Sequence, residues 1–473
     1  MMDTPSSNLP TVKRAVKIGI IVAAYLVLTI AFPPPEGLTA QGVRAIGLML
    51  ATVALWVLEP IPLAITSVLM TIVQSLVGVA PLPQALANFA NPTVFFLLGM
   101  FCFTLAFIKT GFSERLALWI SRFSKGSPTR MLFCFITGGT LLSTVMADVP
   151  VIVMLAPVAL KVVEQNTVCG NKSNFAKAVM IGLPMGVLMG GIATPTGASM
   201  NLLTMQFLQD MADIHMSFWD WSAIGVPVVL VLIPSVWWIL THLFPSEVST
   251  LAGTEQLDEA WKALGPLSTN EKKFMAFMVL NITLWGTDQL HGIPLPVLGV
   301  LGGVALFLPG VDLIDWKYTS QKVNWDILLL TGCACSLSMS LWNTGAAAWI
   351  GQHLLGGILT FPVWLIMLCI GFFTLWIHIV VPIGPALIAV FMPMVIAMAQ
   401  NKGINPIIFA LPLGMLASAS LILVIDAVQL VTYQYGYYSM KDWFKSGVII
   451  SFLWIPLTVC SILLIGSTVL KLF

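Results

Sequence analysis

Two carboxylates stand well inside apolar stretches, Asp148 in LSTVMADVPVIVML and Asp426 in SLILVIDAVQLV. Ionisable groups in such places are costly and commonly face a pathway, so each is a candidate to take up a proton or to neighbour an ion. A hydrogen-bonded helix breaker is the competing reading for both. A third apolar run is interrupted by GGIATPTGASMN, residues 190–201. A helix broken there exposes carbonyls and N–H groups able to hold a cation or a carboxylate. Thr194, Pro195, Thr196, Gly197, Ser199 and Asn201 are therefore candidate ligands. A proline kink alone would not require the three hydroxyls and the amide together. Gly384, in the second break VPIGP, and His378 just before it are further candidates, although a histidine at a helix end is often a packing residue. Gln429 joins Tyr433, Gln434 and Tyr435 in a polar patch; an interfacial aromatic belt is the alternative for the tyrosines.

The elements that position these residues are read from composition. The chain is 58% hydrophobic and 9% charged, with mean hydropathy +0.96, against about a quarter charged in soluble domains. Repeated apolar runs of helical length predict an all-α polytopic membrane protein, with about eleven crossing helices plus two re-entrant hairpins. Spans are expected near 15–32, 42–58, 60–80, 92–110, 176–209, 222–243, 274–290, 296–309, 325–342, 405–435 and 446–470. The run Ile18 to Phe32 imitates a signal peptide but leads into Pro33-Pro34-Pro35 without a small-residue cleavage site, so it is kept as the first helix.

Two apolar regions, 129–163 and 360–400, break in their middles at Asp148-Val149-Pro150 and at residues 381–385. Each is expected to dip into the membrane and return on one side, because broken backbone at that depth must line a cavity or be buried in protein. With the N-terminus cytoplasmic, the basic residues of 109–177, 262–273, 317–322 and 441–445 then fall inside. Arg44, Lys402 and Lys471 fall outside with Asp210, Asp213 and Asp220, and the C-terminus is extracytoplasmic. This bias follows the positive-inside rule and fits a bacterial inner-membrane type of protein.

The organisation repeats. Residues 97–120 and 329–354 share a Lys109-Thr110-Gly111 and Asn343-Thr344-Gly345 triplet, and each is followed by an amphipathic stretch, a broken hairpin and an interrupted span. An inverted-topology repeat with paired interrupted segments points to a transport site. The units expected are N-terminal scaffold helices (1–91) and a first repeat (92–243) with hairpin 129–163 and broken helix 176–209. A solvated cytoplasmic linker (244–273), scaffold helices (274–324) and a second repeat (325–473) with hairpin 360–400 and broken helix 405–435 complete the chain.

Other classes fare worse. The net charge of +1 offers no basic field for nucleic acid. Seven cysteines lie mostly in apolar runs without paired metal-ligand spacing, and five dispersed histidines form no HExxH or Ser/His/Asp grouping. No enzyme, cofactor or metal site is expected.

The chain resembles the divalent-anion/sodium symporter family, the INDY-type transporters of di- and tricarboxylates. The resemblance rests on Pro35-Glu36-Gly37-Leu38, Glu59-Pro60-Ile61-Pro62, the Lys-Thr-Gly segment, GGIATPTGASMN, and Gly436-Tyr437-Tyr438-Ser439 before Asp442-Trp443. It implies two inverted repeats, each with a hairpin and a broken helix, and a homodimer working by an elevator motion. The family's hairpin tips carry Ser-Asn-Thr; here those places hold Ala147-Asp148-Val149 and Ile383-Gly384-Pro385, and Asp426-Ala427-Val428-Gln429 departs at the last break. The expectation is a secondary transporter of small organic anions of the succinate, malate or citrate type. H+ or Na+ is the coupling ion, with exchange as a further mode, and Asp148 is the candidate proton carrier. A sulfonate or monocarboxylate transporter, or an ion-conducting channel, is the alternative.

Overall fold

The computed structural model describes residues 11–31, 33–166, 173–252, 259 and 261–468. Residues 1–10, Cys169, Lys172, Glu255, Asp258 and Lys471 lie outside them. The described residues fold into helices, with no strand among them. In chain order these are α1 (Thr11–Leu26), α2 (Ala40–Leu58), α3 (Leu63–Leu76), α4 (Leu82–Phe89), α5 (Pro92–Lys109), α6 (Phe112–Arg122), α7 (Pro128–Ser143) and α8 (Asp148–Asn166). Then come α9 (Asn174–Gly191), α10 (Ser199–Ala212), α11 (Phe218–Leu243), α12 (Thr269–Gly286), α13 (Asp288–His291), α14 (Leu295–Ala305) and α15 (Trp316–Lys322). The last are α16 (Trp325–Asn343), α17 (Ala346–Leu355), α18 (Val363–Ile377), α19 (Gly384–Lys402), α20 (Ile407–Leu416), α21 (Ala427–Tyr433) and α22 (Met440–Thr468).

By length and composition seven are apolar enough to cross a membrane: α2, the continuous stretch Leu82–Lys109, α9, α11, α16, α19 and α22. Four shorter apolar helices, α3, α14, α18 and α20, accompany them. Both hairpin regions are helix, break, helix, as are both interrupted spans. The order α5 to α10 is matched by the order α16 to α21. The two triplets end α5 and α16 alike: Gly111 (φ 78°) and Gly345 (φ 73°) turn left-handed just past the last helical residues, where a side chain would be strained.

Close packing fixes these helices against one another. A Cβ on Gly99 of α5 would fall 2.1 Å from the Gly299 carbonyl of α14. Small residues let the two backbones approach to that degree. The first arm of the first hairpin packs on α9 in the same way, since a Cβ on Gly190 would fall 2.2 Å from the Thr140 carbonyl. Thr140 Oγ1 lies 2.9 Å from the Gly186 carbonyl and 2.8 Å from that of Ile136.

The apolar interior divides into two large clusters. One holds Phe135, Ile152, Met180 and Val428, from α7, α8, α9 and α21. The other holds Leu203, Ile366, Leu387 and Phe409, from α10, α18, α19 and α20. Each interrupted span thus has one half in each cluster, and its break lies at the boundary. The elements are laced crosswise: α21 packs on α8 and α9, and α10 packs on α19.

Candidate functional site

The breaks are built from the side chains that sequence singled out. At the first, Asn201 is fully buried and its Nδ2 donates to the carbonyls of Gly191 and Thr194, both at 2.7 Å. The Gly191 carbonyl ends α9 without a helical partner, and the Thr194 carbonyl, within the break, also accepts from Gly197 N at 3.3 Å; the amide ties the two together. Thr194 Oγ1 donates to the Thr144 carbonyl and lies 3.1 Å from Thr196 Oγ1, so the break is tied to the turn between α7 and α8. Trp221 Nε1 donates to the Ile192 carbonyl at 2.9 Å.

At the second break, Asp426 caps α21 by accepting from Val428 N at 2.9 Å. Gln429 completes a capping box, its Oε1 accepting from Asp426 N at 3.4 Å and from Ile425 N at 3.1 Å. The other end of its amide donates to Ser420 Oγ at 2.7 Å. His378 is buried between the carbonyls of Thr374 (Nδ1, 2.7 Å) and Ala417 (Nε2, 2.9 Å), joining the end of α18 to the second break.

Asp148 occupies the first turn of α8 and accepts a hydrogen bond from Ser143 Oγ across the hairpin turn. Its carboxylate lies against Gly191, where a Cβ would meet Oδ1 at 2.8 Å. At the other hairpin, a Cβ on Gly384 would meet the Met200 side chain of α10 at 2.9 Å and the Ala417 carbonyl at 3.1 Å.

One cavity of about 730 Å³ collects these parts. It is lined by Asp148 beside Ala147 and Val149, by Thr196, Gly197 and Ser199, by Gly384 between Ile383 and Pro385, and by Asp426. Thr194, Pro195, Asn201, His378 and Gln429 do not line it. Four of those five hold the breaks together by hydrogen bonds, and Pro195 lies within the first break. Sequence reasoning missed the opposite wall. Met200 joins the lining from α10, and α5 contributes Phe96, Leu97, Met100, Phe101 and Thr104. Thr104 was detectable as the one hydroxyl in the run from Val94 to Ile108. Lys322, exposed beside Asn324 and Asp326, adds a cation to the lining.

First-turn residues of four helices therefore line one cavity: Asp148 of α8, Ser199 of α10, Gly384 of α19 and Ala427 of α21. A helix N-terminus carries about half a positive charge and unpaired N–H donors. Two of the four already hold the protein's own carboxylates, Asp148 and Asp426. The other two are preceded by Ala198 and Ile383, and neither residue makes a side-chain cap bond. No N-cap side chain thus occupies the start of α10, from the first interrupted span, or of α19, from the second hairpin, where Pro385 offers no N–H and Gly384 and Ala386 are the candidate donors.

Apolar helices, polar breaks and a shared cavity at the boundary of two cores are the construction of a membrane transporter. The chain belongs to the family described as the sodium:sulfate symporter transmembrane region, whose model matches residues 13–472. A membrane protein of Cupriavidus necator is 26% identical over 448 residues, covering 89% of this chain and 86% of that protein. The sodium-dependent dicarboxylate transporter SdcS of Staphylococcus aureus is 24% identical over 434 residues, covering 86% and 82%. Among solved structures, the YdaH transporter of Alcanivorax borkumensis shares the fold with a TM-score of 0.58 at 16% identity, over 97% of this chain and 98% of that one. The protein is an integral, multi-pass transporter and not an enzyme.

Proposed function

We propose that the protein is a secondary active transporter of small organic anions, carboxylates foremost, bound in the cavity between the hairpin turns and the two breaks. The observation that carries this reading is the pair of helix N-termini, α10 and α19, that meet the cavity without a side-chain cap. Each can donate backbone N–H bonds to a carboxylate oxygen, assisted by the helix dipole. The dicarboxylate transporters of S. aureus support di- and tricarboxylates as the first substrates to test. The matched element orders support an inverted repeat, and the resemblance to INDY-type transporters supports a homodimer with an elevator motion and a cytoplasmic N-terminus.

Coupling is assigned to a proton at Asp148. An ionised Asp148 beside an anion would repel it by a Coulomb interaction that weak interior screening leaves strong. Protonation removes that repulsion and makes the carboxyl a donor. The sodium dependence of the S. aureus relatives favours sodium as a second reading. Against it, the cavity-lining residues beside the turns, Ala147, Val149, Ile383 and Pro385, bring no side-chain oxygen for a cation.

Counterflow in proteoliposomes tests the substrate class. Liposomes loaded with unlabelled succinate, malate or citrate are expected to take up the labelled acid, with choline in place of sodium as effectively as with it. Uptake absent for every organic anion, including sulfonates and monocarboxylates, would sink the reading. A steep, saturable sodium requirement would transfer the coupling to sodium.

A further inference from the structure

The cavity is polar at the breaks and turns and at Tyr318, Lys322, Asn324 and Asp326. A further part of its wall is the face of α5 carrying Leu97, Phe101, Thr104 and Ile108, with Met100 and Leu105 beside them. Spacings of four, three and four residues place the first four on one helical stripe. All are apolar except Thr104, whose hydroxyl is one of four threonine hydroxyls among the described residues, with those of Thr137, Thr331 and Thr458, that are buried without a partner, and of these it alone lines the cavity. Thr52, Thr71, Thr204 and Thr374 each donate to the carbonyl four residues earlier. Thr104 is 2% exposed and its Oγ1 has no hydrogen-bond partner. A buried hydroxyl without a partner carries a cost of about 1–3 kcal/mol, which a ligand that pairs with it would relieve.

A compact, fully hydrophilic acid such as succinate leaves this wall uncovered. An acid with an aryl or branched alkyl group covers it. The cavity volume of about 730 Å³ lies within the range of sites that enclose ligands larger than a four-carbon acid. Building on the reading of this cavity as a carboxylate site, we propose that its substrates are carboxylates with an apolar body. The carboxylate sits at the uncapped N-termini of α10 and α19, the body lies on α5, and Thr104 gives it a hydrogen bond from that helix. Substrates that carry a hydroxyl or amino group on the apolar body are then preferred over those without it.

The test is binding to the purified full-length protein in detergent, measured by calorimetry with two matched pairs: acetate against phenylacetate, and succinate against phenylsuccinate. The added phenyl group is expected to tighten binding by about tenfold or more in both pairs, the factor that follows from burying an aromatic side chain. Phe101→Ala should shrink that advantage. A second comparison sets 4-hydroxyphenylacetate against phenylacetate. The wild type and Thr104→Ser should prefer the hydroxylated acid by about tenfold, and Thr104→Val, which keeps the shape and removes the hydroxyl, should abolish the preference. If the phenyl group leaves affinity unchanged or lowers it while acetate or succinate binds, the apolar-body proposal is wrong and the carboxylate site stands. If Phe101→Ala leaves the phenyl advantage intact, the body does not lie on α5. A hydroxyl preference that survives in Thr104→Val removes Thr104 from the site. If none of the five acids binds, the failure belongs to the carboxylate reading itself.

Discussion

Asn201 illustrates how far a single side chain can be read before its partners are known. A buried amide in a polar interruption of an apolar run signals a ligand or a clamp, and sequence favours neither. Both of its donor bonds go to carbonyls on either side of the break, Gly191 at the end of α9 and Thr194 beyond it, which makes it a clamp. Asn201→Ala is therefore expected to lower the stability of the substrate-free protein by about 1–3 kcal/mol, since the buried Gly191 carbonyl loses its donor and the tie to Thr194 is cut. Thermal unfolding in detergent checks this; a variant as stable as wild type that no longer binds acids would make Asn201 a direct ligand. Asp148, Asp426 and the 190–201 segment were legible because polar residues are expensive in apolar runs. Which of them line the cavity was not, because that depends on carbonyls and turns brought close from far along the chain. Thr104 was missed for the converse reason: one hydroxyl in a helix ordinarily bonds its own backbone.

Among the elements, helical extent was legible and helix contact was not. The lengths of the apolar runs and the glycine and proline breaks placed the helix ends of α5, α9, α16 and α19 within a few residues. The short α4 and α15 lay between apolar runs and gave no such signal. Helical glycines look alike in sequence, yet Gly190 stands against the Thr140 carbonyl while Gly19 of α1 has nothing within 4 Å. Gly190→Ala should separate the first hairpin from α9 and cost at least the 1–3 kcal/mol of an overpacked core, with Gly19→Ala neutral or stabilising. Equal melting temperatures for the two variants would contradict this packing.

The linker 244–273, expected as a solvated connector, is bonded at both ends of its described length. Glu247 accepts from Asn174 N and Phe175 N, both at 3.1 Å, and Arg115 of α6 donates to the Gly265 carbonyl at 2.9 Å. Arg115 Nε also meets Glu271 Oε1 at 2.6 Å, and this hydrogen bond holds the Glu271 carboxyl below the usual carboxylate range. The unfolded chain then binds more protons than the folded one as pH falls below the ordinary carboxylate value of about 4.3, so the stability from this pair is present above that pH and is lost with acidification. The melting temperature of wild type should fall more steeply than that of Glu271→Gln between about pH 5 and pH 3. Parallel slopes would show that the pair contributes nothing to folding.

For the whole molecule, the decisive arrangement is the crosswise lacing of two cores, with both breaks on the boundary and one cavity between them. The repeated order of elements was legible from the two triplets and the paired interruptions. The lacing was not, since the hydrophobic pattern tells which face is buried and not which distant helix covers it. Movement at that boundary would open the cavity to one side or the other, and the proposed coupling has substrate cross it with Asp148 neutral. The most direct test is accumulation in proteoliposomes without sodium, driven by an imposed pH gradient, for wild type and Asp148→Asn with a carboxylate that passes in counterflow. The account predicts that wild type concentrates the acid, whereas Asp148→Asn still exchanges it but no longer concentrates it and loses its pH dependence. An Asp148→Asn protein that accumulates substrate with an unchanged pH profile would contradict the account.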